Sequence, residues 1–184
     1  MRFRSCSLYA VVLSFSLGCA ALLAQTSPAS PSGFRGDFLR QLNDVENRVT
    51  SLAQAVPAEK YSWRPGQGVR SVSEVFVHIA GGNYFLLTFA EVKPPAGLAG
   101  DMEKTVTEKA KVAEVLKQSF DHVRQAATSM SDADLDKPIK MFGRSSTQRE
   151  LFFVIANHMH EHLGQSIAYA RVNGVVPPWS AKEQ

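Results

Sequence analysis

Four long segments of this chain repeat apolar residues at intervals of three and four positions, and this pattern limits the fold more than any other feature. Such spacing places the apolar side chains on one face of an α-helix. No segment shows a strand-like alternation of comparable strength. The pattern therefore predicts an all-α fold, a four-helix bundle with one core. The four stripes are Phe38-Leu42-Val45-Val49-Leu52-Val56, Val75-His78-Gly82-Phe85-Phe89, Val112-Leu116-Ser119-Val123-Ala127-Met130 and Leu151-Ile155-His158-His162-Gln165-Tyr169.

Capping residues and prolines predict where the helices begin and end. The first helix is expected to begin near Asp37 and to end at Pro57, and the second to end before Pro94. The later helices are expected to begin where a serine or threonine is followed, three positions on, by a glutamate, because this is the capping-box spacing. Three pairs with this spacing precede the later apolar stripes, namely Ser71 and Glu74, Thr105 and Glu108, and Thr147 and Glu150.

The connections between these helices predict some of the topology. Residues 92–104 are rich in proline and glycine and are longer than a simple antiparallel turn requires. A long crossover between the second and third helices favours a bundle with mixed helix directions. Residues 139–143 could form either a short extended piece or a loop. Trp63, in the loop of residues 61–68, is expected to plug one end of the core.

The first residues have the layout of a secretory signal peptide. Arg2 and Arg4 precede an apolar run, and we interpret residues 1–24 as a leader that is excluded from the fold. Residues 25–33 form a spacer rich in serine and proline that is expected to be disordered, so the folded domain is expected to span residues 34–179. The protein is therefore predicted to be exported, periplasmic or extracellular. A retained membrane anchor and lipidation at Cys19 are the alternatives.

Composition argues against disulfides and against a nucleic-acid partner. Both cysteines, Cys6 and Cys19, lie in the predicted leader, so the mature chain would contain no thiol. The chain has 20 basic and 17 acidic residues, and removal of Arg2 and Arg4 leaves 18 against 17, a net charge of about +1. The basic residues are also scattered among acidic ones. No nucleic-acid partner is expected, and no membrane partner unless the leader is retained or lipidated.

Three histidines lie on the apolar stripes. His78 lies on the second helix, and His158 and His162 lie four positions apart on one face of the fourth. Buried imidazoles need partners, and first-row divalent metals are commonly bound by imidazole. Three such ligands would leave at least one coordination position for water or a substrate. The alternative is that each histidine only hydrogen-bonds a neighbour inside an ordinary core.

Two further polar residues beside the histidine pair are candidates for catalysis. Glu161 points close to the direction that the pair shares and could act as a base, although a solvated surface carboxylate is the alternative. Gln165 follows His162 by three positions and could orient a ligand or bind a substrate, or could simply be a polar group near the bundle mouth. His122 and His160 fall off the stripes and are left out of the site.

Three stretches, taken in order along the chain, resemble the DinB superfamily of four-helix bundles. They are Tyr61-Ser62-Trp63-Arg64-Pro65, Val69-Arg70-Ser71 leading to His78-Ile79-Ala80, and the pair His158 and His162 followed by Gly164-Gln165. The resemblance spans residues 34–179. It implies an up-down-down-up bundle, a divalent-metal site on the three histidines, and frequently a homodimer. Relatives in that family include thiol-dependent S-transferases, a mycothiol-dependent isomerase and proposed metal-dependent hydrolases.

These observations leave three hypotheses for function. The first is an exported metal-dependent enzyme acting on an unidentified small molecule. Hydrolysis suits it better than thiol transfer, because water is the nucleophile at hand outside the cytoplasm. The metal would be zinc, nickel, manganese or iron. In the second, the ion only ties the second helix to the fourth, and the bundle is a binding module without turnover. In the third, the chain is a plain interaction bundle.

Overall fold

The computed structural model describes residues 32–96 and 101–180 and confirms the all-α four-helix class. The predicted leader and nearly all of the predicted spacer lie outside these residues. A two-stranded hairpin between the last two helices adds the β-structure of the described part. The elements are α1 (Gly33–Ala55), α2 (Val72–Leu87), α3 (Met102–Thr105), α4 (Lys109–Ser129), α5 (Asp132–Leu135), β1 (Pro138–Met141), β2 (Arg144–Thr147) and α6 (Gln148–Val172).

The four long helices enclose one core. Each of α1 and α2 packs against both α4 and α6, so α1 and α2 lie diagonally opposite each other. The α1 stripe from Phe38 to Val56 is buried throughout, as the sequence predicts. The prediction for α2 is wrong at its far end, because Phe85 is 56% exposed. Among the described helices, none combines the length and the apolar character that crossing a membrane requires.

The start of α2 follows the predicted capping box. The Ser71 side chain accepts a hydrogen bond from the backbone N–H of Glu74 at 3.3 Å, and the Glu74 carboxylate accepts one from the Ser71 N–H at 2.7 Å. These two bonds satisfy backbone donors that the helix itself leaves unpaired. The α2 register, and with it the direction of His78, is therefore fixed close to its N-terminus.

Of the other two capping predictions, one is partly met and one is wrong. The Thr147 hydroxyl accepts from the Glu150 N–H at 3.2 Å, but the Glu150 carboxylate accepts from Ser146 at 2.8 Å instead of reaching back to the cap. The capping box predicted for the third helix is wrong. Thr105 is the last residue of α3, and α4 begins at Lys109 without a side-chain cap.

Residues 139–143 form the end of β1 and the turn that follows it. Met141 pairs with Arg144, which leaves Phe142 and Gly143 as a two-residue turn. Both turn residues have positive φ, 52° and 79°, which is the conformation of a type I′ hairpin turn. The hairpin therefore presents the Phe142 side chain at its tip.

The connection between α1 and α2 closes one end of the core. The buried Tyr61 hydroxyl donates to the Ala53 carbonyl at 2.7 Å, and the Val72 N–H donates to the Trp63 carbonyl at 3.0 Å. The Trp63 ring packs edge-on against Tyr169 of α6, with ring centroids 5.3 Å apart. Trp63 thus takes the plugging position that the sequence predicts.

Candidate metal centre

The structure brings together the three histidines that the sequence singled out. One ring nitrogen from each of His78, His158 and His162 lies within 4.8 Å of the other two. The ring centroids are 4.5 to 5.0 Å apart. His162 is buried and the other two rings are half-buried. Two ligand positions one turn apart on α6 therefore face a third on α2, which is the arrangement expected from helical periodicity.

The closest approach between the rings suits a shared cation. Nε2 of His78 and Nε2 of His158 are 3.2 Å apart. Two nitrogens that bind one ion at the usual distance of about 2.0–2.1 Å are separated by about 3.0–3.4 Å. The separation of these two nitrogens is thus compatible with binding to a shared metal ion.

Hydrogen bonds to the outer nitrogens fix the orientation of two of the imidazoles. Nδ1 of His162 lies 2.9 Å from the side-chain oxygen of Gln165, whose amide nitrogen donates to the Tyr169 hydroxyl at 3.0 Å. Nδ1 of His78 lies 2.7 Å from the Glu103 carboxylate. Since these oxygens accept, each Nδ1 carries the proton and each Nε2 keeps its lone pair. Both lone pairs are then available to a metal ion.

His158 distinguishes this cluster from an ordinary set of core histidines. Its Nδ1 is buried and has no hydrogen-bond partner among the described residues. Its Nε2 lies 3.2 Å from the Nε2 lone pair of His78, so it can either donate a proton to that lone pair or, when Nδ1 carries the proton, share an ion with it. A buried imidazole normally finds a partner for each polar atom, because an unsatisfied one costs about 1–3 kcal/mol. The protein therefore leaves Nδ1 of this ring without a partner among the described residues, and Nε2 lies where it could share a cation with His78.

The protonation state also favours metal binding. Burial, together with the two neighbouring imidazoles, lowers the pKa of His158 to about 4. Burial likewise lowers the pKa of His78, against the opposing effect of Glu103. Both rings are consequently neutral at pH 7, which is the form that binds a metal ion.

Glu103 is the functional residue that sequence reasoning missed. Burial raises its pKa, but hydrogen bonds from Arg70 and His78 outweigh that effect and the net pKa is lowered, so the carboxylate is ionised. Arg70 Nε lies 2.7 Å from it. Glu103 belongs to α3, inside the connection that the sequence showed only as a long crossover. No spacing rule links it to His78, which lies 25 residues away.

A second ion pair holds α3 in place. Lys104 Nζ lies 2.8 Å from the carboxylate of Glu74, the same residue that caps α2. Burial raises the pKa of Glu74, but its hydrogen bonds to Lys104, the Ser71 backbone and Arg64 outweigh that effect and lower the pKa to about 2. One carboxylate thus links the α2 N-terminus to α3 and so positions Glu103 beside the site.

Gly82 provides the space for the His158 ring. A methyl group built on Gly82 would overlap that ring, at 2.7 Å from Nδ1 and 2.8 Å from Nε2. Ordinary contacts of this kind lie at about 3.5–4.0 Å. The imidazole therefore packs directly on the α2 backbone, and only glycine allows this approach.

The histidines open onto a cavity of about 580 Å³. His78 and His158 line it, and so does Glu161, which is exposed on α6. Gln165 instead contacts the outer edge of His162. Of the two residues considered for catalysis, Glu161 thus faces the space a ligand would fill, and Gln165 orients a histidine.

The two histidines left out of the site lie away from the cluster. His160 is exposed, and its Nδ1 lies 2.9 Å from the Ala156 carbonyl in its own helix. His122 lies on α4 with its ring 5.4 Å from that of Tyr84. Neither contributes to the group of nitrogens that could share an ion.

Sequence comparison identifies the family. A sequence model of the DinB superfamily matches residues 41–166, which is more than half of the chain and includes all three histidines. This chain belongs to the DinB superfamily. A search of curated proteins finds no match.

Solved structures of DinB-like proteins share the fold. A DinB-like protein from Bacillus cereus superposes with a TM-score of 0.68 at 20% identity, covering 77% of this chain and 93% of its own. A DinB-like protein from Bacillus subtilis gives 0.61 at 21% identity, covering 76% and 93%. A conserved protein from Enterococcus faecalis gives 0.65 at 13% identity, covering 77% and 97%. At these identities the likeness shows the fold alone.

Proposed function

We propose that this DinB-superfamily protein binds a divalent metal ion through His78, His158 and His162 and uses it to hydrolyse a small molecule. The observation that most supports the proposal is the environment of His158. One of its nitrogens has no hydrogen-bond partner among the described residues, and the other converges with His78. That convergence occurs at the wall of an open cavity, where a ligand can reach it.

Each residue of the site has a distinct part in this proposal. Three neutral imidazoles leave a bound ion its full positive charge, which activates water and polarises an electrophilic group. Glu103 and Gln165 hold His78 and His162 with their lone pairs directed inward. Glu161 lines the same cavity, so its carboxylate can accept a proton from a nucleophile bound there.

Hydrolysis is preferred to group transfer because of the expected location of the protein. A chain exported by the segment 1–24 would work where water is abundant and cytoplasmic thiol cofactors are scarce. Transfer to a thiol remains the alternative reaction for the same metal site, since a divalent ion activates a thiol as readily as water.

Metal analysis of purified mature protein tests the binding step. We expect near-stoichiometric divalent metal in residues 25–184 and its loss in His158→Ala. His160→Ala is the matched control, because it removes an exposed imidazole from the same helix and should leave the metal content unchanged. Unchanged metal in His158→Ala would overturn the proposal.

Hydrolysis itself is tested on a panel of aryl esters and anilides. Activity should disappear on chelation, return with added metal and be absent from His158→Ala. Activity that survives chelation, or that persists in His158→Ala, would exclude a metal-dependent reaction. If chelation instead causes only a large loss of thermal stability, and no substrate is turned over, the ion serves to join α2 to α6.

A further inference from the structure

Two phenylalanines form an aromatic wall along one side of the metal-site cavity, and a third packs against both of them. Phe85 from α2 and Phe142 from the hairpin tip line the cavity and are 56% and 59% exposed. Phe89 lies beneath them, with its ring centroid 5.4 Å from Phe85 and 5.0 Å from Phe142. Clustered aromatic rings left open to solvent beside a cavity are typical of a binding surface.

Turn chemistry does not account for Phe142. Its φ of 52° lies in the left-handed region, where a bulky side chain is strained, and type I′ turns favour asparagine followed by glycine. Core packing does not account for it either, since more than half of the side chain is exposed. A strained, exposed aromatic residue at the edge of a cavity points to a functional contact.

The polar residues around the cavity restrict the charge of its ligand. Two carboxylates, Glu103 and Glu161, and one amide, Asn157, are among the lining residues. Within residues 32–96 and 101–180, no lysine or arginine lines this cavity. Glu103 is paired with Arg70, and an ion on the histidines would attract a negative group at that end of the cavity, whereas a negative charge elsewhere would meet the Glu161 carboxylate. A neutral or cationic ring would instead be attracted to the aromatic faces.

We propose that the cavity binds a small molecule through a neutral or cationic aromatic ring held against Phe85 and Phe142, with its polar end directed at the histidines. A volume of about 580 Å³ suits a small molecule. This inference rests on the proposed function, because it names the substrate class of the same site.

Two hydroxamic acids distinguish the contribution of the aromatic ring to binding from the contribution of the metal. Both carry the same chelating group, but benzohydroxamic acid has a phenyl ring where acetohydroxamic acid has a methyl group. The probes are titrated calorimetrically into full-length mature protein reconstituted with the metal found by elemental analysis. We expect benzohydroxamic acid to bind about tenfold more tightly, because stacking on two rings adds to the apolar contact. Benzohydroxamic acid with a carboxylate on the ring should lose most of this advantage.

Substitutions in the aromatic wall locate the preference. Phe142→Asn should reduce the tenfold ratio to about threefold or less, and Phe85→Ala should do the same, with acetohydroxamic acid binding unchanged in both. The asparagine suits the left-handed turn, so the hairpin is retained. Phe153→Ala is the matched control, because Phe153 is 55% exposed on α6 and does not line this cavity.

The outcomes distinguish the two proposals. If neither hydroxamic acid binds, the metal has no coordination position open to a ligand, which contradicts the proposed function and removes the inference with it. Equal binding of both probes overturns the aromatic contact and leaves the metal site standing. The same conclusion follows if the preference persists in both Phe85→Ala and Phe142→Asn. Tighter binding of the carboxylated ring would overturn the assigned charge of the ligand.

Discussion

Helix α2 buries polar side chains on two sides, but only one of the two sides forms a candidate metal site. Toward α6, His78 meets His158 and His162, and the imidazole nitrogens converge at the wall of a cavity. Toward α4, the fully buried Asn83 donates to the Ser119 hydroxyl at 3.1 Å. We call these the α6 side and the α4 side of α2.

The α4 side also contains polar atoms without partners. Within the described residues, the oxygen of Asn83, the Tyr84 hydroxyl and Nε2 of His122 make no hydrogen bond. Burial lowers the pKa of His122 and, with the charge of Asp121, raises the pKa of Tyr84 to about 12, so both are neutral at pH 7. Among the described residues, His122 does not belong to a group of three histidine, cysteine or acidic side chains that could share an ion. Burial of polar groups alone therefore does not make a site. A site also requires lone pairs that converge, rings held in one orientation and open space for a ligand.

The largest expected effect comes from filling the space beside His158. Gly82→Ala places a methyl group inside the imidazole, so the ring must move and metal affinity should fall by about 100-fold or more. Isothermal titration with the metal measures this. Gly81→Ala is the matched control, since its new methyl group would meet Met102 at 3.8 Å, which is an ordinary contact. The stability of this variant should differ from that of the wild type by about 1 kcal/mol or less. Equal affinities in the two variants would contradict the close approach.

Removing the charge from Glu103 should have the next largest effect. Glu103→Gln weakens the hydrogen bond that orients His78, so metal affinity should fall by about 10–100-fold with little change in fold. Asp101→Asn, an exposed residue just before α3 without a side-chain cap, should leave the affinity unchanged. A competition assay with a fluorescent chelator compares the two. The positioning role is wrong if both variants keep wild-type affinity.

Acid should destabilise the metal-free protein from the α6 side. The pKa of His158 is lowered from 6.5 to about 4, so between these values the unfolded chain binds a proton that the folded chain does not. The contribution of this pKa shift to the free energy of unfolding is therefore fully present above about pH 6.5 and is lost as the pH falls toward 4. We expect a loss of about 1–2 kcal/mol in urea unfolding, because the half-buried ring is partly screened by water. A His158→Ala variant should show a flatter profile, and identical profiles would contradict the shift.

The smallest effect is expected on the α4 side. His122→Leu removes a buried nitrogen that has no partner among the described residues, so the protein should become more stable by about 1 kcal/mol, and metal affinity should not change. Thermal unfolding with and without metal checks both statements. A fall in metal affinity would show that the two sides of α2 are coupled.

The sequence predicted the buried faces well because they depend on local periodicity. The α1 stripe, the direction shared by His158 and His162, and the Ser71 cap all follow from spacing within one helix. The same rule failed where one stripe serves two environments. His78 and Phe85 belong to one predicted stripe, but its last part faces a cavity and not the core.

Features that depend on tertiary contacts could not be predicted. Thr105 and Glu108 have the same spacing as Ser71 and Glu74, yet Thr105 ends α3, which Lys104 ties to Glu74. Glu103 reaches His78 only because of that placement. The short hairpin has Phe142 in its turn, and phenylalanine is not favoured in turns of this type. The local sequence therefore contained no clear signal for the hairpin.

The separation of the histidines along the chain determines when the site can exist. His78 and His158 are 80 residues apart, and the second of them lies on the last helix. A partly synthesised or unfolded chain therefore has no preformed place for an ion. If the protein crosses a membrane unfolded, the ion must come from the compartment where α6 finally packs against α2. The metals that are abundant in the compartment of translation would then not determine which ion is bound.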